Sequence, residues 1–153
     1  MKVKFIATML LLLSLATNVM GQDGKNSLGR GYRGFVETEE WDNFAVLNVS
    51  TTHGYQFNPN IYVGVGVVGI SWIGGSDWVG LANFRYDATI KDKFTPFIDV
   101  NTYIEKDYEF NIHPSVGYRF KHFNVKVGYL MDGEGDGGLT FGIGFDFGGR
   151  KKK

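Results

Sequence analysis

The chain has 153 residues, with 16 basic and 16 acidic side chains and no cysteine. That composition excludes a disulfide framework and a cysteine-linked lipid anchor, and it gives no support to a nucleic-acid surface. With 22 Gly, 8 Tyr, 13 Phe and 3 Trp against 3 Pro, it suits strands carrying many small residues and does not suit a helical domain.

Met1-Lys2-Val3-Lys4 is a basic start, and Phe5 to Ala16 is an apolar run too short for a membrane-spanning helix of about 20 residues. Val19 and Gly21 suit cleavage before Gln22, which predicts a signal peptide over 1–21 and one secreted domain over 22–153. Without Lys2 and Lys4, 14 basic residues remain against 16 acidic.

Beyond that point the apolar period is two residues, the period of a strand. Strands are predicted over Gly31–Thr38, Phe44–Phe57, Ile61–Trp72, Val79–Ile90, Thr95–Lys106, Phe110–Phe120, Phe123–Met131 and Gly138–Phe147. Tight turns fall at Asn58-Pro59-Asn60, Lys91-Asp92-Lys93 and Lys121-His122. The connections at the opposite end are Glu39–Asn43, Ile73–Trp78, Asp107–Glu109 and Asp132–Gly137. All are shorter than the dozen residues a parallel crossover needs, so the strands are antiparallel.

Each strand sets a bulky apolar face against a face of glycine, small polar and charged residues. Leu139, Phe141, Ile143, Phe145 and Phe147 alternate with Thr140, Gly142, Gly144 and Asp146, for example. The polar faces carry both signs: Arg33, Arg85, Arg119 and Lys126 against Glu37, Asp87, Asp99, Glu105 and Asp146. Balanced charge suits a closed interior in which the ions pair. The rings of the apolar faces are too many for the inside of an eight-stranded barrel. Aromatic residues also gather at two heights, with Phe57, Phe94, Phe97, Phe120, Phe123 and Phe147 at the tight turns and Trp41, Trp72 and Trp78 opposite. Two aromatic belts around an aliphatic band are what two membrane–water interfaces select. The predicted fold is an all-β, antiparallel, up-and-down transmembrane barrel of eight strands.

Three motifs invite chemistry. Gly64-x-Gly66-x-x-Gly69 spells a dinucleotide-binding turn, which needs a strand running into a helix N-terminus. Here it lies inside a strand-period run, with Gly64 and Gly66 on the inward parity of Tyr62, so no nucleotide is expected. The bulky residues change parity after Val67, which predicts a bulge near Val67-Val68. His113-x-Ser115 could set an imidazole beside a hydroxyl, but both residues have the inward parity, away from a lipid substrate. Asp132, Glu134 and Asp136 resemble a calcium loop in spacing, yet Ile143 stands where its last ligand would be. A solvent-facing acidic hairpin with at most weak cation or lipopolysaccharide contact is expected there. Pro114 lacks a ladder donor and predicts a bulge or a frayed strand end.

The stretches Ser50–Val67 (STTHGYQFNPNIYVGVGV) and His113–Phe120 (HPSVGYRF) resemble the small outer-membrane β-barrels of Gram-negative bacteria, akin to the membrane domain of outer membrane protein A and to opacity-type proteins. The resemblance implies residence in the cell outer membrane, contact with its lipid and lipopolysaccharide, and insertion by the barrel assembly machinery. That machinery reads an aromatic-ended last strand, which Phe141, Phe145 and Phe147 match, although Gly148–Lys153 follow the last of them. No cofactor, nucleic acid or catalysis is expected, and the role is structural or at the cell surface. The alternatives are a small-ligand-binding barrel and a lipid A-modifying hydrolase. The latter rests on the likeness of His113-x-Ser115 to the pair in membrane-embedded lipid A deacylases of similar fold.

Overall fold

Eight runs of alternating large and small residues form eight strands, each paired with its neighbours in chain order. The computed structural model describes residues 29–41, 46–88, 94–104, 110–131 and 137–150. The expected signal peptide, Glu105, and the loop acids Asp132, Glu134 and Asp136 lie outside the described residues.

The strands are β1 (Gly29–Trp41), β2 (Val46–Gln56), β3 (Ile61–Trp72), β4 (Gly75–Asp87), β5 (Thr95–Ile104), β6 (Phe110–Phe120), β7 (Phe123–Met131) and β8 (Gly137–Arg150). They close into one up-and-down barrel, with β8 antiparallel to β1. Closure leaves no edge strand to aggregate.

The registers fix its dimensions. Gly31, Gln56, Tyr62, Arg85, Asp99, Ser115, Gly128 and Thr140 are successive partners around the wall, and Thr140 returns to β1 at Trp41. One circuit therefore climbs from residue 31 to residue 41, a stagger of 10 residues. With a rise of about 3.3 Å per residue and a strand spacing of about 4.8 Å, the strands tilt by roughly 40° and the Cα radius is roughly 8 Å. That interior holds side chains and little else.

Alternation decides the faces. Inward positions are buried and largely polar, while the outer face is mainly apolar, with Val65 67% and Ile143 59% accessible at mid-height and the polar Thr51 and His53 standing among them on β2. At this tilt each residue adds about 2.5 Å of height, so the apolar band between the turn-side phenylalanines and Trp78 is roughly 25 Å tall.

Three sequence expectations are corrected. No bulge occurs at Val67-Val68: the registers of β3 with β2 and with β4 run unbroken from end to end. Val68 keeps the inward parity of Gly64 and Gly66 and is 1% exposed, packed with Val79, Leu81 and Tyr103. The lumen changes from polar to apolar at that height, so the switch from Gly to Val changes composition without changing face. Next, Pro114 causes neither a bulge nor a frayed end. It stays opposite Val100, and only the β7 pairings of His113 and Pro114 drop out, between Ile112↔Met131 and Ser115↔Gly128. One missing N–H interrupts the ladder locally. Finally, Gly75–Trp78 are strand and not loop, because β3 turns into β4 within Ile73-Gly74, where Gly74 takes φ 114.

Candidate functional site: the charged lumen

Inward parity gathers ionised residues from six strands into one nest. On the turn side, Arg33 donates from Nη1 to Gln56 Oε1 (2.7 Å) and Asp87 Oδ2 (3.0 Å), and from Nη2 to Asp146 Oδ2 (2.7 Å). Arg119 Nη2 reaches the same Asp87 oxygen at 3.3 Å, and Asn124 Nδ2 donates to Asp146 Oδ1 at 2.7 Å. One layer up, Arg85 Nη2 bridges Glu37 Oε1 (2.6 Å) and Asp99 Oδ2 (3.0 Å). Lys126 Nζ crosses the lumen to Glu37 Oε2 (2.7 Å), Asp99 Oδ2 (3.2 Å) and Glu39 Oε1 (2.5 Å). All these groups are buried, and ions held at such depth are tolerated only when paired with opposite charge.

Aromatic rings cushion the guanidiniums. Arg85 lies over Phe35 at 3.9 Å and over Phe97 at 4.4 Å from the ring centroids, and Arg33 lies over Phe35 (4.6 Å) and Tyr62 (5.7 Å). Cation–π contact is strongest where water is excluded, as here. Phe97 is therefore not an interface aromatic: it is 2% exposed and shares the inward parity of Asp99. Its closeness to a turn gave its height and not its face.

Room for these side chains comes from glycines on the wall. A Cβ at Gly64 would overlap the hydroxyl of Tyr62, one at Gly117 would fall 2.5 Å from Phe97 Cζ, and one at Gly144 would fall 2.6 Å from Glu37 Cγ. Gly64, the first glycine of GVGVVG, is thus the recess into which Tyr62 leans, together with Gly54 on β2. Gly64→Val should destabilise the barrel by about 1–3 kcal/mol through overpacking, read as a lower urea midpoint in detergent micelles. A midpoint equal to wild type would contradict that packing.

Toward the opposite end the lumen turns apolar, with Val68, Val79, Leu81 and Tyr103 at its centre and Trp41, Ile70 and Leu130 packed against them. Trp41 belongs to this layer and not to an outer belt. It extends the inward series Arg33, Phe35, Glu37 and Glu39, meets Tyr103 edge-on at 5.4 Å, and donates from Nε1 to Glu39 Oε2 at 3.4 Å. Trp72 likewise continues the inward series past the rim, 42% exposed above Gly75. Of the three tryptophans only Trp78, 69% exposed and lying against Gly69, stands on the outer face. Phe57, Phe120 and Phe123 are exposed at the turn side. Phe147 is outward too, half-buried against His53 (5.7 Å) and Tyr32 (6.4 Å).

His113 and Ser115 both face the lumen, and the structure does not join them. His113 Nε2 meets Thr140 Oγ1 at 2.7 Å, and Nδ1 meets Tyr103 Oη at 3.2 Å and Glu39 Oε2 at 3.3 Å. Ser115 Oγ is buried with no hydrogen-bond partner among the described residues. Glu39 is the charged member that sequence reasoning assigned to a loop. Its signal was the odd-numbered parity of β1, which continues through Glu39 to Trp41. Asn83 and Asn101, which pair at 2.6 Å beside Asp99, were legible from parity but carry no charge to draw notice.

No family model and no curated protein matches the chain. Among solved structures it is similar to a de novo designed transmembrane β-barrel (13% identity, TM-score 0.47, covering 82% of this chain and 98% of that one). It is also similar to the designed barrel TMB2.3 (17%, TM-score 0.48, 76% and 94%). A third is the S-type phycobiliprotein lyase CPES from Guillardia theta (9%, TM-score 0.30, 80% and 89%).

Proposed function

We propose that this chain is an integral outer-membrane β-barrel with a side-chain-filled lumen, serving a structural or surface role without catalysis. The observation that carries the reading is the inversion of the two faces: ions and amides are buried in the lumen while Val, Ile, Phe and Tyr cover the outside. A water-soluble barrel of this size would do the opposite, since exposed apolar patches in soluble monomers rarely exceed a few hundred Å². The band of roughly 25 Å matches the apolar belt of outer-membrane barrels. Among the described residues no helix is long and apolar enough to cross a membrane, so any crossing by them is made by strands.

In this reading the partners are outer-membrane lipid and lipopolysaccharide, with the assembly machinery engaging Phe141, Phe145 and Phe147 during insertion. A ligand-binding barrel would need lumen volume that the ion pairs and rings fill. A lipid hydrolase would need a free His113 nitrogen beside Ser115, whereas both ring nitrogens have other partners. Unchanged lipid A in cells expressing the wild type agrees with a non-catalytic role, and modification that is lost in His113→Ala would replace it.

Membrane fractionation with gel electrophoresis tests the main reading. The protein should sediment with outer membranes and migrate differently before and after boiling. Recovery in the soluble periplasmic fraction would end the proposal.

A further inference from the structure

Five of the buried carboxylates face the described lumen, on Glu37, Glu39, Asp87, Asp99 and Asp146, against four cations, on Arg33, Arg85, Arg119 and Lys126; Glu40, also buried, has the outward parity of β1. The nest is therefore one negative charge out of balance when His113 is neutral. Glu39 is the carboxylate that no arginine reaches: its partners are Lys126, which it shares with Glu37 and Asp99, and His113, with Trp41 Nε1 alongside. We propose that Glu39 and His113 form a proton-binding site between the charged nest and the apolar layer, and that its occupancy sets the net charge of the lumen.

The surroundings accommodate either state. The charged and titratable groups facing His113 are Glu39 and Glu37 on β1, Asp99 and Tyr103 on β5, and Lys126 on β7. β8 contributes Thr140, whose hydroxyl can donate to a bare Nε2 or accept from a protonated one. With the imidazole neutral, Nδ1–H points at Glu39 and Nε2 accepts from Thr140. A proton taken from water onto Nε2 turns the Thr140 hydroxyl around, leaves an imidazolium beside a carboxylate, and brings five negative charges against five positive. No hydrogen-bond partner has to move. Because the groups interact at 3.3 Å, the proton belongs to the pair as a unit. Trp41, with its ring 6.3 Å from that of His113, is positioned to report the change.

The proposal rests on the lumen and not on the membrane reading, so failed insertion into lipid would leave it standing. The test is a titration of the full chain, refolded in neutral detergent micelles, from about pH 4 to about pH 9. It follows imidazole resonances by NMR and tryptophan emission, with altered gel migration before boiling as the check of folding. His113 should show one transition that appears in Trp emission. His113→Gln should abolish that emission transition, while His53→Gln and His122→Gln should keep it. Glu39→Gln should move it toward acid by about one pH unit or more, the effect of losing an opposite charge at this range. Should His113→Gln fail to fold, Glu39→Gln and Thr140→Val decide, the latter moving the transition by removing the hydroxyl that serves both states. A wild type with no His113 transition, a transition that survives His113→Gln, or one unmoved by both remaining variants would overturn the proposal.

Discussion

Arg85→Met should cost about 3–5 kcal/mol of unfolding free energy in micelles and leave little of the form with altered gel migration. The guanidinium is fully buried and serves Glu37 and Asp99 directly, with Asp146 at 3.7 Å. Methionine fills much of the space between Phe35 and Phe97, so the loss is one of charge more than of volume. Glu37 and Asp99 would then keep Lys126 as their only cation, with Asn83 Nδ2 still donating to Asp99, and the nest would carry a further uncompensated charge in a buried lumen. A second arm separates charge from packing. Adding Asp99→Asn to Arg85→Met should recover part of the loss, because the double variant removes one ion of each sign. The two changes should thus be strongly non-additive. A loss below about 1 kcal/mol for Arg85→Met, or strict additivity, would mean that the ions are solvated and the lumen is wet.

Val65→Arg should cost about 2–4 kcal/mol when the barrel unfolds from lipid vesicles, the range for an arginine facing lipid at the bilayer midplane. Val65 stands at mid-height on the outer face, opposite Ala82 on β4 and His53 on β2. On a water-exposed wall the same change would stay within about 0.5 kcal/mol, since no partner is lost and the side chain is solvated. The measurement therefore decides what bathes the outer face. Val100→Arg, on the same face of β5, should behave alike.

Much of the fold was legible because a strand has one simple rule. Alternation located eight strands and the inward set Arg33, Arg85, Asp99, Arg119, Lys126 and Asp146, and the short connections gave their antiparallel pairing. What was missed came where height along the barrel was read without parity, or parity without height. Phe97 and Trp41 lie near strand ends and look like belt residues, yet their parity places them inside. Val68 looks like a slip in register because the inward face below it is glycine, whereas the lumen there has become apolar. Gly74-Gly75 reads as a loop, but one glycine supplies the turn and the other begins a strand over which Trp72 folds. Glu39 could have been found by carrying the β1 parity past Thr38. Its pairing with His113, 74 positions away in a chain that closes on itself, could not, because it depends on the stagger of the whole barrel.

That stagger has a consequence for how the barrel is made. Arg33 and Asp146 are 113 residues apart in sequence, and Lys126 and Glu37 are 89 apart, so neither pair can meet inside a local hairpin. While hairpins form one after another these ions remain in solvent, adding nothing to early folding, and the long loops they close make the final step slow. Only when β8 reaches β1 in the right register do cations and carboxylates enter a shared interior together. A closure displaced by one residue would turn the whole inward set of β8, Asp146 included, to the outside. The lumen thus acts as a proofreader of assembly: the buried charges discriminate against every closure but one.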